Sequence, residues 1–438
     1  MTELGFFGGR VARHDGLVTQ TRMGFSDPWR MLEGLRAVRN AGAGTVGTIT
    51  LDSFTRTGNL DRAREELLRG TPLNGYPLLA HGAARTRELI GAFDQSRFPI
   101  QIRHGSPRPY MIFREMLAAG ITATEGGPVS YCLPYSREPL AAAVTEWARS
   151  CELLSEYRGP GAPVHLESFS GCMLGQLCPP GLLVALNILE GLFFLEHGLR
   201  SISLSYAQQT NHRQDFGAIT ALRRLARERL AGADWHITIY TFMGVFPESA
   251  LGARSLIEES ARLAASTGSE RLIVKTVAEA FRIPTIAENV QALRWATAAA
   301  AGAEPDDDDD AAEAVYREAG TLIDAVLDQH ANIGQALIGA FRKGLLDVPY
   351  CLHPDNANQA RTTIDSAGRL QWASTGRMPI ATGRAGAEPR VSAADLLTML
   401  DYHRRRFDGS HVQEKGHHHD DDRIAPAGHG SGQLDACR

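Results

Sequence analysis

The sequence predicts a (β/α)8 barrel with a C-terminal extension, and three observations carry that expectation. Short β-branched runs recur eight times, helical patterns separate them, and the alternation is complete within about 260 residues, the size of a closed eight-stranded barrel. The rival architecture is an open doubly wound sheet. No GxGxxG follows the first run, which tells slightly against it.

In chain order the expected strands are residues 17–21, 44–50, 99–102, 120–124, 163–166, 201–205, 236–240 and 271–275. Each is short, rich in Val, Ile and Thr, and bounded by Gly, Pro or a polar cluster. Helical patterns fall at 29–40, 84–93, 140–157, 181–197, 219–231 and 253–267. Segment 181–195 is the most apolar, but it holds Asn187 and Glu190 and is too short to span a bilayer, so it reads as a buried helix. Beyond the eighth strand the pattern becomes helical at 286–302, acidic at 306–310 (a solvated loop), helical again over 311–344, irregular over 348–384, and helical at 393–407. The expected division is an N-terminal segment 1–15, a barrel 16–300, an extension 301–408 and a disordered tail 409–438 that contains His417-His418-His419-Asp420-Asp421-Asp422.

Composition narrows the function. Of the 438 residues, 43% are hydrophobic and 22% charged, which is ordinary for a globular chain. A net charge of -5 argues against a nucleic-acid binder. Six cysteines without a CxxC pair read as reduced thiols of a cytoplasmic protein, and the N-terminus has no apolar signal region.

Catalytic groups of such barrels stand at the C-terminal ends of the strands. Arg22 follows the first strand, Arg56 the second and Arg103 the third. One arginine there would most often be a structural ion pair. Three at matching positions point to an anion between them, and a planar guanidinium fork suits a dicarboxylate. The fourth strand ends at Glu125, able to accept a hydrogen bond from an amino group or to act as a base. Tyr131 and Tyr135 follow, either bonding a substrate carboxylate, closing as a lid, or simply packing the loop. The eighth strand leads into Lys275 and Glu279, which taken alone would be an exposed ion pair. Glu167, Tyr206, Gln208, Asn211, Met243 and Gly244 read as wall residues. There is no P-loop, HExxH or GxSxG, and no metal ligand set is expected. Asp401-Tyr402-His403 begins like the DxHxxG cobalamin motif but has Arg406 in place of glycine and lies on a helical pattern, so it is rejected.

Leu73-Asn74-Gly75-Tyr76-Pro77, Gln101-Ile102-Arg103-His104-Gly105, Thr124-Glu125-Gly126-Gly127 with Ser130-Tyr131 and Pro134-Tyr135, and Ile273-Val274-Lys275-Thr276 with Glu279-Ala280 and Ile283-Pro284-Thr285 together resemble the epsilon subunit of glutamate mutase (methylaspartate mutase). The similarity runs from about 17 to 378. It implies a (β/α)8 barrel and an adenosylcobalamin-dependent radical rearrangement of (S)-glutamate to (2S,3S)-3-methylaspartate. By the same resemblance Arg22, Arg56 and Arg103 would grip the substrate carboxylates and Glu125 would meet the amino group. Tyr131 and Tyr135 would line the same pocket, and Lys275 with Glu279 would hold the adenosyl ribose. It further implies a small cobalamin-binding partner of the DxHxxG type and self-association of the large subunit. The run Glu167-Ser168-Phe169-Ser170-Gly171-Cys172 departs from the family's usual sequence. Two other readings stay open: a cofactor-free lyase or aldolase with Lys275 as a Schiff-base lysine, and a non-catalytic barrel scaffold.

Overall fold

A computed structural model describes residues 4–42, 44–172, 177–303, 309–381 and 391–414. Eight parallel strands close on themselves: β1 (Val18–Gln20), β2 (Thr45–Thr50), β3 (Ile100–Arg103), β4 (Ala123–Gly126), β5 (His165–Ser168), β6 (Ser201–Ala207), β7 (Asp234–Tyr240) and β8 (Arg271–Ile273). Each pairs with the next, and β8 returns to β1 with Arg271 beside Val18 and Ile273 beside Gln20. The expected barrel and all eight strands are present, which removes the open-sheet rival.

Strand parity divides the side chains between two environments. Ile100, Ile102, Leu166, Ile202, Leu204, Ile237, Ile239 and Leu272 join the main apolar core with the surrounding helices. The alternate positions Gln20, Thr48, Gln101, Glu167, Ser203 and Arg271 bond to one another inside the barrel.

Helices follow in the order α1 (Phe6–Ala12), α2 (Pro28–Ala41), α3 (Ser53–Thr57), α4 (Leu60–Leu68), α5 (Leu78–Ile90), α6 (Tyr110–Ala119), α7 (Leu140–Ser155), α8 (Pro180–Glu196), α9 (His212–Arg229), α10 (Ala250–Ser266) and α11 (Ile286–Ala301). Helix α2 starts where Asp27 accepts from the Arg30 amide at 2.7 Å with Pro28 in the first turn, a strong start signal. The apolar stretch 181–195 forms α8, buried from Pro180 to Gly191 under α9 and two later helices. Among the described residues no helix is long and apolar enough to cross a membrane.

Several expectations are corrected. Helix α1 lies within the N-terminal segment, and its Phe7 and Val11 pack with Val18, Val46 and Ala123 to plug the N-terminal end of the barrel. Helices α3, α4 and α6 were not anticipated; α3 and α4 are too short to declare a period. Of the acidic run 306–310, expected as a loop, Asp309 and Asp310 open α12 (Asp309–Leu327), and 306–308 lie outside the described residues. The single helix expected over 311–344 breaks before α13 (Ile333–Lys343), where Asn332 caps the new start by accepting from the Gln335 amide. The irregular stretch contains a hairpin of β9 (Arg361–Ile364) and β10 (Leu370–Ser374). The final helix is two, α14 (Ala393–Leu400) and α15 (Tyr402–Glu414), so regular structure continues past 409; His417–Asp422 and Cys437 lie outside the described residues. The other five cysteines are free and buried.

Candidate active site at the barrel mouth

Parity in the strands aims the functional side chains. Gln20 faces inward, so Arg22, two residues on, continues the inward series; its carbonyl is fixed by the Thr50 hydroxyl at 3.1 Å. Gln101 and Arg103 share the inward parity of β3, and Ala123 and Glu125 that of β4. Arg56 arrives differently, on α3. Asp52 caps that turn by accepting from the Phe54 and Thr55 amides at 2.9 and 3.0 Å. The Arg56 stem then lies over Gly105, whose missing Cβ would stand 3.0 Å from Arg56 Cδ at a φ of +66°. Glycine therefore suits that place both for its left-handed backbone and for the approach of the arginine.

Arg103 and Glu125 form the centre. Arg103 is only 4% exposed and its Nε donates to Glu125 Oε2 at 2.7 Å. The Tyr131 hydroxyl donates to the other carboxylate oxygen, Oε1. The hydroxyl of Tyr240 reaches Glu125 Oε2 at 2.8 Å and also bonds Glu167 Oε1. Burial works against the Arg103 guanidinium, but Glu125 beside it holds the proton well above the ordinary arginine range. Burial, reinforced by Glu125, pushes the Tyr131 phenol up. Tyr131 is thus a buried partner of Glu125 rather than a lid. Its ring packs edge-on to Tyr135 at 5.9 Å and to His104 at 5.0 Å. Burial pushes His104 down to about 3, so that ring is a neutral packing element.

A second cluster stands beside the first. Glu279 Oε2 lies 3.6 Å from both Arg22 Nη1 and Lys275 Nζ. Lys275 is 6% exposed, not the surface ion pair expected from its spacing alone. Burial pushes its ammonium down to about 8, with Arg22 adding to the fall and Glu279 resisting it. Tyr135 links the clusters, since its phenol sits in the field of Arg22, Glu125 and Arg103. It is 45% exposed and lines the opening. Arg56 forms no ion pair among the described residues and is exposed. Four cations (Arg22, Arg56, Arg103, Lys275) thus stand against two carboxylates (Glu125, Glu279). That leaves two positive charges without a partner carboxylate, a complement to a doubly carboxylated ligand.

Sequence reasoning missed the layer beneath. Arg271 pairs with Glu167 Oε2 and reaches Gln20 Oε1 at 2.5 Å, Ser203 Oγ at 3.0 Å and His236 Nε2 at 3.2 Å. His236 stacks on His165 at 5.0 Å, and Phe7 stacks on the other side of His165 at the same distance. Burial, with Arg271 adding to it, keeps both histidines far below the ordinary range, so His236 can accept from Arg271. The available signal was polar residues at inward parity in strands whose alternate positions are Ile or Leu. Among the expected wall residues, Glu167 faces the interior. Tyr206 and Asn211 do not: Tyr206 turns outward to Asp215 at 2.9 Å, and Asn211 caps α9.

The sequence pattern of the family described as methylaspartate mutase E chain matches residues 9–388. The chain belongs to this family. Membership places it among mutase subunits, an isomerase type, and agrees with the resemblance read from the motifs. Similar proteins include the glutamate mutase epsilon subunit of Haloarcula marismortui, 32% identical over 370 residues, covering 82% of this chain and 75% of that one. The epsilon subunit of Escherichia coli O157:H7 is 31% identical over 350 residues, covering 76% and 72%. That of Desulfitobacterium hafniense Y51 is 30% identical over 366 residues, covering 80% and 75%. Of the residues in the quoted motifs, Arg103, Glu125, Tyr131, Tyr135, Lys275 and Glu279 are the ones gathered at the barrel mouth.

Proposed function

We propose that the chain is the substrate-binding subunit of an adenosylcobalamin-dependent glutamate mutase that interconverts (S)-glutamate and (2S,3S)-3-methylaspartate. The observation that supports this reading is the buried Arg103–Glu125–Tyr131 cluster, with the Arg22–Glu279–Lys275 cluster beside it and the Arg56 stem over Gly105. Arg22, Arg56 and Arg103 bind the two carboxylates. Glu125 receives the ammonium and takes up its proton, and Tyr131 and Tyr135 line the same space. Burial of Arg103 and Glu125 keeps water from the reacting carbons, which matters where a stray radical would be quenched. The cofactor, when bound, supplies the radical that abstracts hydrogen from the substrate. Lys275 and Glu279 fit its ribose: a carboxylate held between two cations accepts from a diol, and the ammonium donates to it.

The corrin is assigned to a small partner subunit of the DxHxxG type. The exposed apolar side chains Val245, Phe281 and Ile283, on the loops after β7 and β8 that surround the opening, support a covered rim. Self-association of the large chain and a cytoplasmic setting complete the proposal. The test is turnover of glutamate by the purified chain with adenosylcobalamin, with and without such a partner. Turnover is expected only with it, and turnover by the chain alone refutes the two-component reading. Arg103→Met is expected to raise KM and to lower kcat/KM by a factor of about 10² or more, as for loss of a buried charge-assisted pair; near-normal kinetics remove Arg103 from the site.

One observation favours a second reading. An amine held near 8 is a competent nucleophile, so Lys275 could form an imine in a lyase or aldolase. Borohydride in the presence of a keto acid would then add mass at Lys275; an unmodified lysine excludes it.

A further inference from the structure

The Tyr240 hydroxyl lies between two carboxylates, within reach of Glu125 Oε2 at 2.8 Å on one side and bonded to Glu167 Oε1 on the other. Each carboxylate has its own guanidinium. Glu125 has Arg103, and Glu167 has Arg271 together with the Ser203 hydroxyl at 3.1 Å. Arg103 Nη2 also faces the phenol oxygen at 3.4 Å. Glu125, Glu167, Tyr240 and Arg271 are all at most 1% exposed, so bulk water does not reach them.

A phenol has one proton to donate and lone pairs to accept with. With both carboxylates ionised, it can donate to only one of them, and the other meets a lone pair. One additional proton on either carboxyl group completes an unbroken chain of hydrogen bonds. The arrangement therefore has room for one proton more than two carboxylates and a phenol carry at neutral pH. On the reading above, that proton is the one Glu125 takes from the substrate ammonium.

We propose that Tyr240 and Glu167 act through Glu125 as positioning residues, relaying the substrate's amino proton from Glu125 to Glu167. The inference rests on the role proposed for Glu125. In the step the O–H bond on Glu125 Oε2 breaks and its proton bonds to Tyr240 Oη. At the same time the original Tyr240 O–H breaks and its proton bonds to Glu167 Oε1. The phenol begins and ends neutral, no electrons change hands, and one proton has moved from one carboxylate to the other. Burial, with Glu125 and Glu167 adding to it and Arg103 opposing, keeps the Tyr240 phenol far above the ordinary tyrosine range, so it passes a proton without being left ionised. Glu125 is restored as an anion facing the amine, and the reverse shift returns the proton as product forms.

The test uses the complete enzyme with partner and adenosylcobalamin, and Tyr240→Phe, which removes one oxygen atom and leaves the ring. The relay requires kcat to fall by about ten- to a hundredfold, in the range of lost general acid–base assistance, with KM for glutamate changed by less than about threefold. It further requires the acid limb of the kcat profile to move to higher pH, because the Glu125 anion loses a donor. In Glu167→Gln the same limb moves to lower pH, because a negative charge is removed. An unchanged kcat and limb in Tyr240→Phe, or a loss confined to KM, overturns the relay. A measurement that needs no turnover separates this from failure of the mutase reading. In infrared difference spectra of the large chain taken on adding glutamate, the new protonated-carboxyl band of the wild type is expected to change frequency in Glu167→Gln, where the proton stays on Glu125. A band unchanged in Glu167→Gln, or no band where glutamate binds, overturns the relay, whatever reaction the enzyme performs. Should Glu167→Gln leave Arg271 uncompensated and fail to fold, Tyr240→Phe alone decides through its kcat, KM and pH limb.

Discussion

At Lys275 the protein holds a cation where burial disfavours it, near 8 instead of 10.5. The sign of the consequence follows from where the proton is. Between about 8 and 10.5 the unfolded chain still carries the proton and the folded chain has lost it, so folding stability contributed by this group rises with pH across that window. Relative to Lys275→Met, the wild-type urea midpoint is expected to improve as pH is raised from 8 to 10; a parallel course in both chains would deny the shift. Binding runs the other way. If the ammonium holds the adenosyl ribose, affinity for adenosylcobalamin weakens as pH rises through about 8, and Lys275→Met gives weak, pH-independent affinity. Residues of this kind were legible in the sequence because they follow directly on strand ends, as Arg22, Arg103 and Glu125 do. Tyr240 was not. Its meaning depends on Glu125 and Glu167, which meet it only across the barrel axis, at separations of 115 and 73 residues.

Among the elements, α8 does more than cover the sheet. Its Glu190 is buried and accepts from the Val129 amide at 3.1 Å, the Ser130 amide at 2.9 Å, the Ser130 hydroxyl at 3.1 Å and the Ser168 hydroxyl at 2.9 Å. It thereby fixes the loop that carries Tyr131. Gly127 fits there only because it has no side chain; a Cβ would lie 2.1 Å from the Glu190 carboxylate. Glu190→Ala strands at least two buried amide donors, an expected loss of roughly 2–4 kcal/mol in urea unfolding, with kcat lowered as Tyr131 loses its place. A loss under 1 kcal/mol would show that the loop holds itself. The strands were readable from their β-branched runs, and α8 from its apolar length. The breaks at Asn332 and Asp401 were not, because only local cap geometry marks them: Asn332 caps the start of α13, and Asp401 caps the end of α14. Glu190 itself told against a membrane span in the sequence but gave no sign of the loop it serves.

Across the whole molecule, the barrel is closed at one end. Phe7 is 1% exposed, stacked on His165 with the Arg271 guanidinium 4.9 Å from its ring centre. Phe7→Ala is expected to cost about 3–5 kcal/mol in thermal or urea unfolding. A near-neutral result would mean that α1 is an ornament on the barrel rather than its floor. Nothing in residues 1–15 announced this, because α1 is short and glycine-rich, and its apolar face makes sense only against the inward residues of β1, β2 and β4.

Among the described residues a sealed floor leaves one doorway. When a second chain stands across that doorway, whatever is inside can be rearranged back and forth but cannot be traded for a fresh molecule until the two chains part. On the proposed two-chain reading, loading and unloading then belong to the rhythm of docking and separation, and a crosslink that locks the partner rigidly across the doorway is expected to yield an enzyme that equilibrates its captive yet never serves the solution outside.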